Sequence, residues 1–353
     1  MQTDPGNPAG RQPRTLKHGL KHGLKHGMKH RLHSALLVLG CVAASFSLSL
    51  AAQDFPAKPV RMVVPYPPGG GVDGMARPVA ERLSRLWNQS VVVDNKPGAA
   101  TLIGSELVAK AAPDGLTLLF TSDSSITSNP HLYPKLSFDP MRDLVPVTQL
   151  IDLYQMVVAH PSVSANTLQE LVLLARSKPQ VLNYGSYGSG SQPHLLFESL
   201  KAQAGIQITH VPYKGIAPAL TAAIAGEVQL TMGGAGTTRG FFSAGKLKPL
   251  AIARPQRLAL YPDVPTLREA GFPDIDPRPW FGLFASAGTP RAIVARIQKD
   301  VAAVINDAEF REREITGKGY GAVGSTPEEF AAFLKIDLEY KGRLIRVSGA
   351  KAE

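Results

Sequence analysis

Val60-Arg61-Met62-Val63-Val64 runs into Pro65-Tyr66-Pro67-Pro68-Gly69-Gly70-Gly71 and then into Val72-Asp73-Gly74-Met75. The apolar run is short and rich in β-branched residues, the length of one strand, and prolines and glycines stop it at once. From residue 73 to 87, Met75, Val79, Leu83 and Leu86 recur at the spacing of one helical face. Val91-Val92-Val93, closed by Asp94-Asn95-Lys96-Pro97-Gly98, predicts a second strand; a helix at about 101–111 and a strand at Thr117-Leu118-Leu119-Phe120 follow. Strands alternating with helices at this spacing predict βαβ units and a largely parallel sheet.

The pattern restarts further on. Strands are predicted from Gln155 to His160, at 181–184, 207–211 and 228–232, with helices at 167–177, 193–204 and 216–225 between them. Helices at 290–306 and 327–341 finish the chain. Two α/β lobes account for this order, and 353 residues exceed the usual size of a single core. Ligands of such sheets sit beyond the carboxyl ends of the strands, which selects the loops at 65–73, 121–125, 185–192 and 232–238.

Composition narrows the function. With 44% hydrophobic and 19% charged residues the chain is an ordinary globular one. The net charge of +10 invites a nucleic-acid partner, but seven of the 38 Lys and Arg lie in residues 1–51 beside one acid, Asp4. The remainder holds 31 basic and 27 acidic side chains, too small a surplus for a phosphate-tracking stripe. Residues 29–52 read as a secretory signal peptide: Lys29, His30 and Arg31 form a basic start, Ala35 to Leu50 is apolar, and Ser49-Leu50-Ala51 suits a signal peptidase. The run is too short and too interrupted by serine for a membrane span. Residues 1–51 are therefore expected to be removed on export. Upstream, Lys-His-Gly-Leu repeats with variation from Lys17 to His30, and Met28 offers a start codon alternative to Met1. Five of the nine histidines and the single cysteine, Cys41, leave with this leader. The apolar run continues past Cys41, so lipid anchoring there is not expected. A mature chain without cysteine has no disulfide, thiolate or Cys-zinc site, and neither metal nor cofactor is expected.

Gly69-Gly70-Gly71-Val72-Asp73-Gly74 satisfies G-x-G-x-x-G between a strand and a helix, with Asp94 about twenty residues on, as in a dinucleotide site. Pro65, Pro67 and Pro68 interrupt the turn, Asp73 would repel a pyrophosphate at the helix start, and no later segment offers a hydride-transfer acid or base. A nicotinamide oxidoreductase is thus the lesser alternative. The same glycines and free amides suit a small carboxylate, with Asp73 capping the helix. Gly185-Ser186-Tyr187-Gly188-Ser189-Gly190-Ser191 forms a second such loop. No serine in it fits G-x-S-x-G, and His131, His160, His194 and His210 fall in separate segments, so the sequence offers neither esterase nor other catalytic team. Tyr213, in Val211-Pro212-Tyr213-Lys214-Gly215, is a further candidate for the cleft.

From Phe55 to Ala350 the chain resembles the Bug-type receptors, the periplasmic substrate-binding proteins of tripartite tricarboxylate transporters. The resemblance rests on Lys58 to Gly71, Val93-Asp94-Asn95-Lys96-Pro97-Gly98-Ala99, Ala112-Pro113-Asp114-Gly115, Asn129-Pro130-His131-Leu132-Tyr133, His210 to Gly215 and Trp280-Phe281-Gly282-Leu283, all in order. It implies an α/β, two-lobed type II periplasmic-binding-protein fold, with a ligand cleft between lobes and a crossing-strand hinge near residues 150 and 275. Lobe one is then 52–150 plus 275–353 and lobe two 151–274. It further implies a monomeric, periplasmic, non-enzymatic receptor that delivers a small carboxylate to membrane subunits of a tripartite tricarboxylate-type transporter. A receptor docking to a sensor protein is the alternative within the same fold. The expected ligand set is Tyr66, Pro68, Gly69, Gly70, Gly71, Val72 and Asp73 in the first loop, Ser122, then Ser186, Tyr187, Gly188, Ser189 and His194, with Tyr213, Gly233 and Gly234. Val72 stands where the family often has threonine, and Met232-Gly233-Gly234-Ala235-Gly236 where it often has a Phe-Asp-Asn-like stretch. Both departures remove polar groups and predict a ligand with a larger apolar part.

Overall fold

The computed structural model describes residues 55–350 apart from Ser189. The leader with its signal peptide and Cys41 lies outside the described residues. The strands are Val60–Val64 (β1), Val91–Asn95 (β2), Thr117–Ser122 (β3), Leu144–Leu153 (β4), Gln155–Ala159 (β5), Asn183–Ser186 (β6), Thr209–Pro212 (β7), Leu230–Gly234 (β8), Lys248–Ile252 (β9), Trp280–Ser286 (β10) and Tyr320–Ala322 (β11). Seven longer helices matter here: Gly71–Trp87 (α1), Leu102–Ala109 (α2), Leu168–Ser177 (α3), Gln192–Ala204 (α4), Ile216–Ala225 (α5), Arg291–Asn306 (α6) and Pro327–Ser348 (α7).

The strands form two sheets, ordered β11-β4-β10-β3-β1-β2 and β7-β6-β8-β5-β9. Each is mixed, which corrects the largely parallel expectation. β1 pairs in parallel with β2 and β3, and β6 with β7 and β8, as βα units require. The antiparallel pairs come from strands that carry the chain between the sheets. β4 ends in the first sheet at Leu153, and after one intervening residue, Tyr154, β5 begins in the second, antiparallel to β8 and β9. The chain returns into β10, antiparallel to both β3 and β4. The two passages touch where the Leu153 N–H donates to the Pro279 carbonyl at 2.9 Å.

Each sheet buries its own core. Met75, Val79 and Leu83 of α1 and Ile297 and Val301 of α6 pack on Met62, Leu118 and Phe120. Each fully buried side chain of this kind contributes about 1.5–3 kcal/mol. Leu86, assigned by spacing to the same face, is exposed, and Trp87 closes the helix against the core instead, its indole N–H donating to Asp300 at 2.6 Å. In the second lobe, Leu168 and Leu171 of α3 and Leu196, Phe197 and Leu200 of α4 cover Val157, Tyr184 and Met232.

α7 runs beyond its expected end at 341, as far as Ser348, and starts from a capping box between Thr326 and Glu329. Its first turns set Phe330 and Leu334 against Trp280 and Phe284 of the first lobe. Its last turns set Leu344 and Ile345 against Leu195 of α4 in the second. The lobes also meet backbone to backbone. A Cβ on Gly236 would lie 2.2 Å from the Lys318 carbonyl carbon and 2.5 Å from the Gly319 nitrogen, so only glycine permits this approach. Gly236→Ala is therefore expected to cost about 1–3 kcal/mol by overpacking. Chemical denaturation measures that loss, and small-angle scattering should show a larger radius of gyration as the contact opens; an unchanged radius and midpoint would contradict the close approach.

Candidate functional site

The loop after β1 carries the sharpest sequence signal. α1 starts at Gly71 with Gly70 as its N-cap, and no side chain caps it. The first intrahelical bond runs from the Gly74 N–H to the Gly70 carbonyl at 2.8 Å, so the amides of Gly71, Val72 and Asp73 precede the helical ladder. Asp73 does not cap this helix as expected. Lying inside the first turn, it reaches back to accept the Gly69 N–H at 2.8 Å, together with Arg77 Nε and Asn95 Nδ2, both at 2.9 Å. Burial alone would raise its pKa; Arg77, the Gly69 amide and Asn95 outweigh burial and hold the carboxyl below its ordinary value. Asp73 thus shapes the loop and leaves the first-turn amides to another acceptor. Val72 is buried in the first lobe's core.

Within this loop, the Tyr66 hydroxyl shares a 2.7 Å hydrogen bond with Ser122 at the end of β3. Burial pushes up the phenols of both Tyr66 and Tyr187 of the second lobe, and for Tyr187 the Asp123 charge is next in effect. The Gln155 side chain lies beside the Tyr187 phenol and works against this rise. Gln192, the first residue of α4, donates its Nε2 to Asp123 Oδ2. Tyr66, Ser122 and Asp123 from one lobe and Gln155, Tyr187 and Gln192 from the other therefore form one inter-lobe cluster. It lies at the carboxyl ends of β1, β3, β6 and β8, since Ser122 pairs with Phe281 and Gly234 with Gln155 across the sheets.

Asp123, Gln155 and Gln192 were not foreseen. Asp123 is set by Lys341, whose Nζ lies 2.9 Å from Asp123 Oδ2 and donates to the Pro277 carbonyl, with Asp337 Oδ1 at 4.0 Å. Lys341 has no exposed surface. Burial opposes its charge, yet Asp123 and Asp337 together hold its pKa above the ordinary lysine value. Asp337 also accepts Thr127 Oγ1 at 2.7 Å and Trp280 Nε1 at 2.9 Å. Burial raises Asp123, with the Asp337 charge acting in the same direction. The sequence signal available was a lysine four residues after an aspartate on an amphipathic helix, which ordinarily marks a solvated face.

The second loop is largely occupied with itself. Gly188 N–H donates to Ser186 Oγ at 3.1 Å, Ser191 Oγ to the Gly188 carbonyl at 2.5 Å, and Gly190 N–H to His194 Nδ1 at 2.9 Å. Ser189 lies outside the described residues. Ser186 Oγ and His210 Nε2 share a 2.6 Å hydrogen bond, and the His194 and His210 rings stack at 4.3 Å. The separation of these residues in sequence thus conceals a Ser–His pair. Ser186 has no exposed surface and its hydroxyl orders the turn at Gly188, so the pair braces the loop instead of presenting a nucleophile. Tyr213 comes directly after β7, its N–H donating to the Ser186 carbonyl and its ring covering Gly185. Gly233 and Gly234 face Thr238 and Thr237, whose hydroxyls donate to the Gly234 carbonyl at 2.8 and 3.0 Å. Pro68 and Gly69 sit exposed on the first loop.

Two outcomes test these roles. Lys341→Met strands two buried carboxylates and is expected to cost about 3–5 kcal/mol in denaturant unfolding, with Asp123→Asn in the same chain recovering part of it. Asp73→Asn is expected to cost about 1–2 kcal/mol at pH 7. Because the Asp73 pKa is depressed on folding, its contribution is complete above the unfolded value of about 3.9 and disappears as pH falls through the folded value, so mutant and wild type should converge in acid.

The comparisons agree with this architecture. The profile of the tripartite tricarboxylate transporter family receptor (TctC) matches residues 75–349. Protein BugT of Bordetella pertussis is 31% identical over 319 residues, covering 90% of this chain and 98% of BugT. A structure of an R. palustris protein with adipate superposes with a TM-score of 0.77 at 30% identity, over 85% of this chain and 100% of that one. MatC from Rhodopseudomonas palustris with bound malate gives 0.74 at 29% identity, over 82% and 100%. Among the described residues no helix is long and apolar enough to cross a membrane. With two mixed sheets joined by crossing strands and a loop-lined cluster between them, the chain belongs to the tripartite tricarboxylate transporter receptor family and has the two-lobed type II fold of periplasmic binding proteins.

Proposed function

We propose that the mature chain is a monomeric periplasmic receptor that captures a small carboxylate between lobes 52–150 plus 275–353 and 151–274. The lobes close on the ligand, and the complex delivers it to membrane subunits of a tripartite tricarboxylate-type transporter, with no chemistry of its own. The observation that carries this reading is the uncapped start of α1 beside the inter-lobe cluster. Three amides there precede the helical ladder, and the positive end of the helix dipole adds to their attraction for an anion. Malate and adipate, the molecules bound in two related structures, are both carboxylates. A pyrophosphate fits less well, because Asp73 keeps a negative charge in the same turn and has already taken the Gly69 amide.

A thermal-shift panel of mono-, di- and tricarboxylates, amino acids and nicotinamide cofactors, run on refolded chain freed of retained ligand, tests the reading. A carboxylate at a hundredfold excess over its Kd should stabilise the fold by about 2.7 kcal/mol. A response to NAD or NADP alone would replace the receptor by the dinucleotide reading. Gly70→Ala and Gly71→Ala bring the test to the loop. Their new methyl groups would meet Pro67 O at 3.7 Å and Phe281 Cζ at 3.6 Å, ordinary contacts that the fold accepts. The same methyls crowd the amide turn, so affinity should fall by about tenfold or more while the unliganded midpoint barely moves.

A further inference from the structure

The inter-lobe cluster is chemically one-sided. Its α1 end presents backbone amides, which are donors only. The end formed by Asp123, Gln155 and Gln192 presents acceptors. Gln192 spends Nε2 on Asp123, which fixes the amide's orientation and directs Oε1 elsewhere. That Oε1 has no hydrogen-bond partner among the described residues, and neither has Gln155 Oε1. Both side chains are only 2% exposed, and they come from different elements of the one cluster. The one ammonium there, Lys341, is already committed to Asp123, Asp337 and the Pro277 carbonyl.

A buried acceptor without a donor carries its full desolvation penalty, so two of them in one binding cluster call for a group that arrives with the ligand. Resting on the receptor reading above, we infer that the ligand bears, beside the carboxylate held by the α1 amides, a hydrogen-bond donor, an alcohol or an amine, that satisfies Gln155 and Gln192. A second carboxylate at that end would meet the Asp123 carboxylate and two amide oxygens, so plain di- and tricarboxylates are disfavoured. This differs from the apolar ligand expected from Val72 and Gly233-Gly234. Val72 lies in the first lobe's core and the two glycines open onto Thr237 and Thr238, so neither departure supplies an apolar wall.

Isothermal titration with skeleton-matched trios separates the possibilities: propionate, lactate and alanine; succinate, malate and aspartate; butyrate, 3-hydroxybutyrate and 3-aminobutyrate. In at least one trio the hydroxy or amino acid should bind about tenfold or more tighter than its plain parent, and which of the two wins identifies alcohol or amine. Gln155→Met and Gln192→Met keep length and volume without the acceptor, and each should reduce that ratio to within about threefold. Plain parents that bind as tightly as their donor-bearing partners in every trio overturn the inference and leave the receptor reading intact. A preference undiminished in both Met variants overturns the assignment to these glutamines. Should a Met variant fail to fold, the wild-type ratios alone decide. If no carboxylate or amino acid binds at all, the receptor reading falls and this inference with it.

Discussion

The burial of one positive charge organises the centre of this molecule. Lys341 comes from α7, Asp123 from the end of β3, and the Pro277 carbonyl from the passage that returns the chain to the first lobe. An ammonium removed from water costs several kcal/mol, which only nearby opposite charge and further hydrogen bonds offset. Asp123 and Asp337 provide the charge, and Thr127 and Trp280 steady Asp337 in turn. Two carboxylates against one ammonium leave the group rich in acceptor capacity. Asp123 uses part of it on Gln192 of the other lobe. An ion pair internal to the first lobe thereby sets the position of an amide across the cleft.

The two loops that flank the cleft solve different problems with similar composition. In the first, a buried aspartate takes up the Gly69 amide and pins Arg77 and Asn95, so the amides of the first turn stay uncommitted. In the second, the Ser186 and Ser191 hydroxyls and His194 are engaged by the backbone of Gly188 and Gly190. Under the proposed function, the first loop is the one that gives hydrogen bonds to the ligand. The second is a braced surface that faces the first lobe through Tyr187 and through Gln192 just beyond it.

Much of the fold was legible because its helices are amphipathic and its parallel strands short and bounded by prolines and glycines. Met75, Val79 and Leu83 announced α1 and are all buried. β10 was missed because Trp280–Ser286 is buried along its whole length, so no alternation marks it. β4 was obscured by Pro146, which sits next to a shift in register against β10. The glycine loops were legible as places where backbone approaches a neighbour closely. The Lys341–Asp123 pair was not, because 218 residues separate partners that only the folded chain brings together. Likewise, the Ser186–His210 pair is a parallel-strand neighbour relation, invisible until β6 and β7 are known to pair.

The same contacts constrain how the lobes separate. Besides the two passages at Leu153–Gln155 and Pro279, α7 bridges the lobes through Leu344 and Ile345 against Leu195. Gly190 lies against Leu132 so closely that a Cβ would fall 2.2 Å from the leucine Cδ1, and Gly236 meets Lys318 and Gly319. The opening that the proposed function requires would release the Gln192–Asp123 bond and part these close contacts, while α7 would either shear along α4 or move with it. Loss of the Gln192 donor would leave Asp123 still paired with Lys341, so the first lobe keeps its charge balance in either position. The lobe contact is thus energetically separable from the ion pair, and under the proposed closure a ligand that bridges the lobes adds to that contact and shifts the equilibrium towards the closed state.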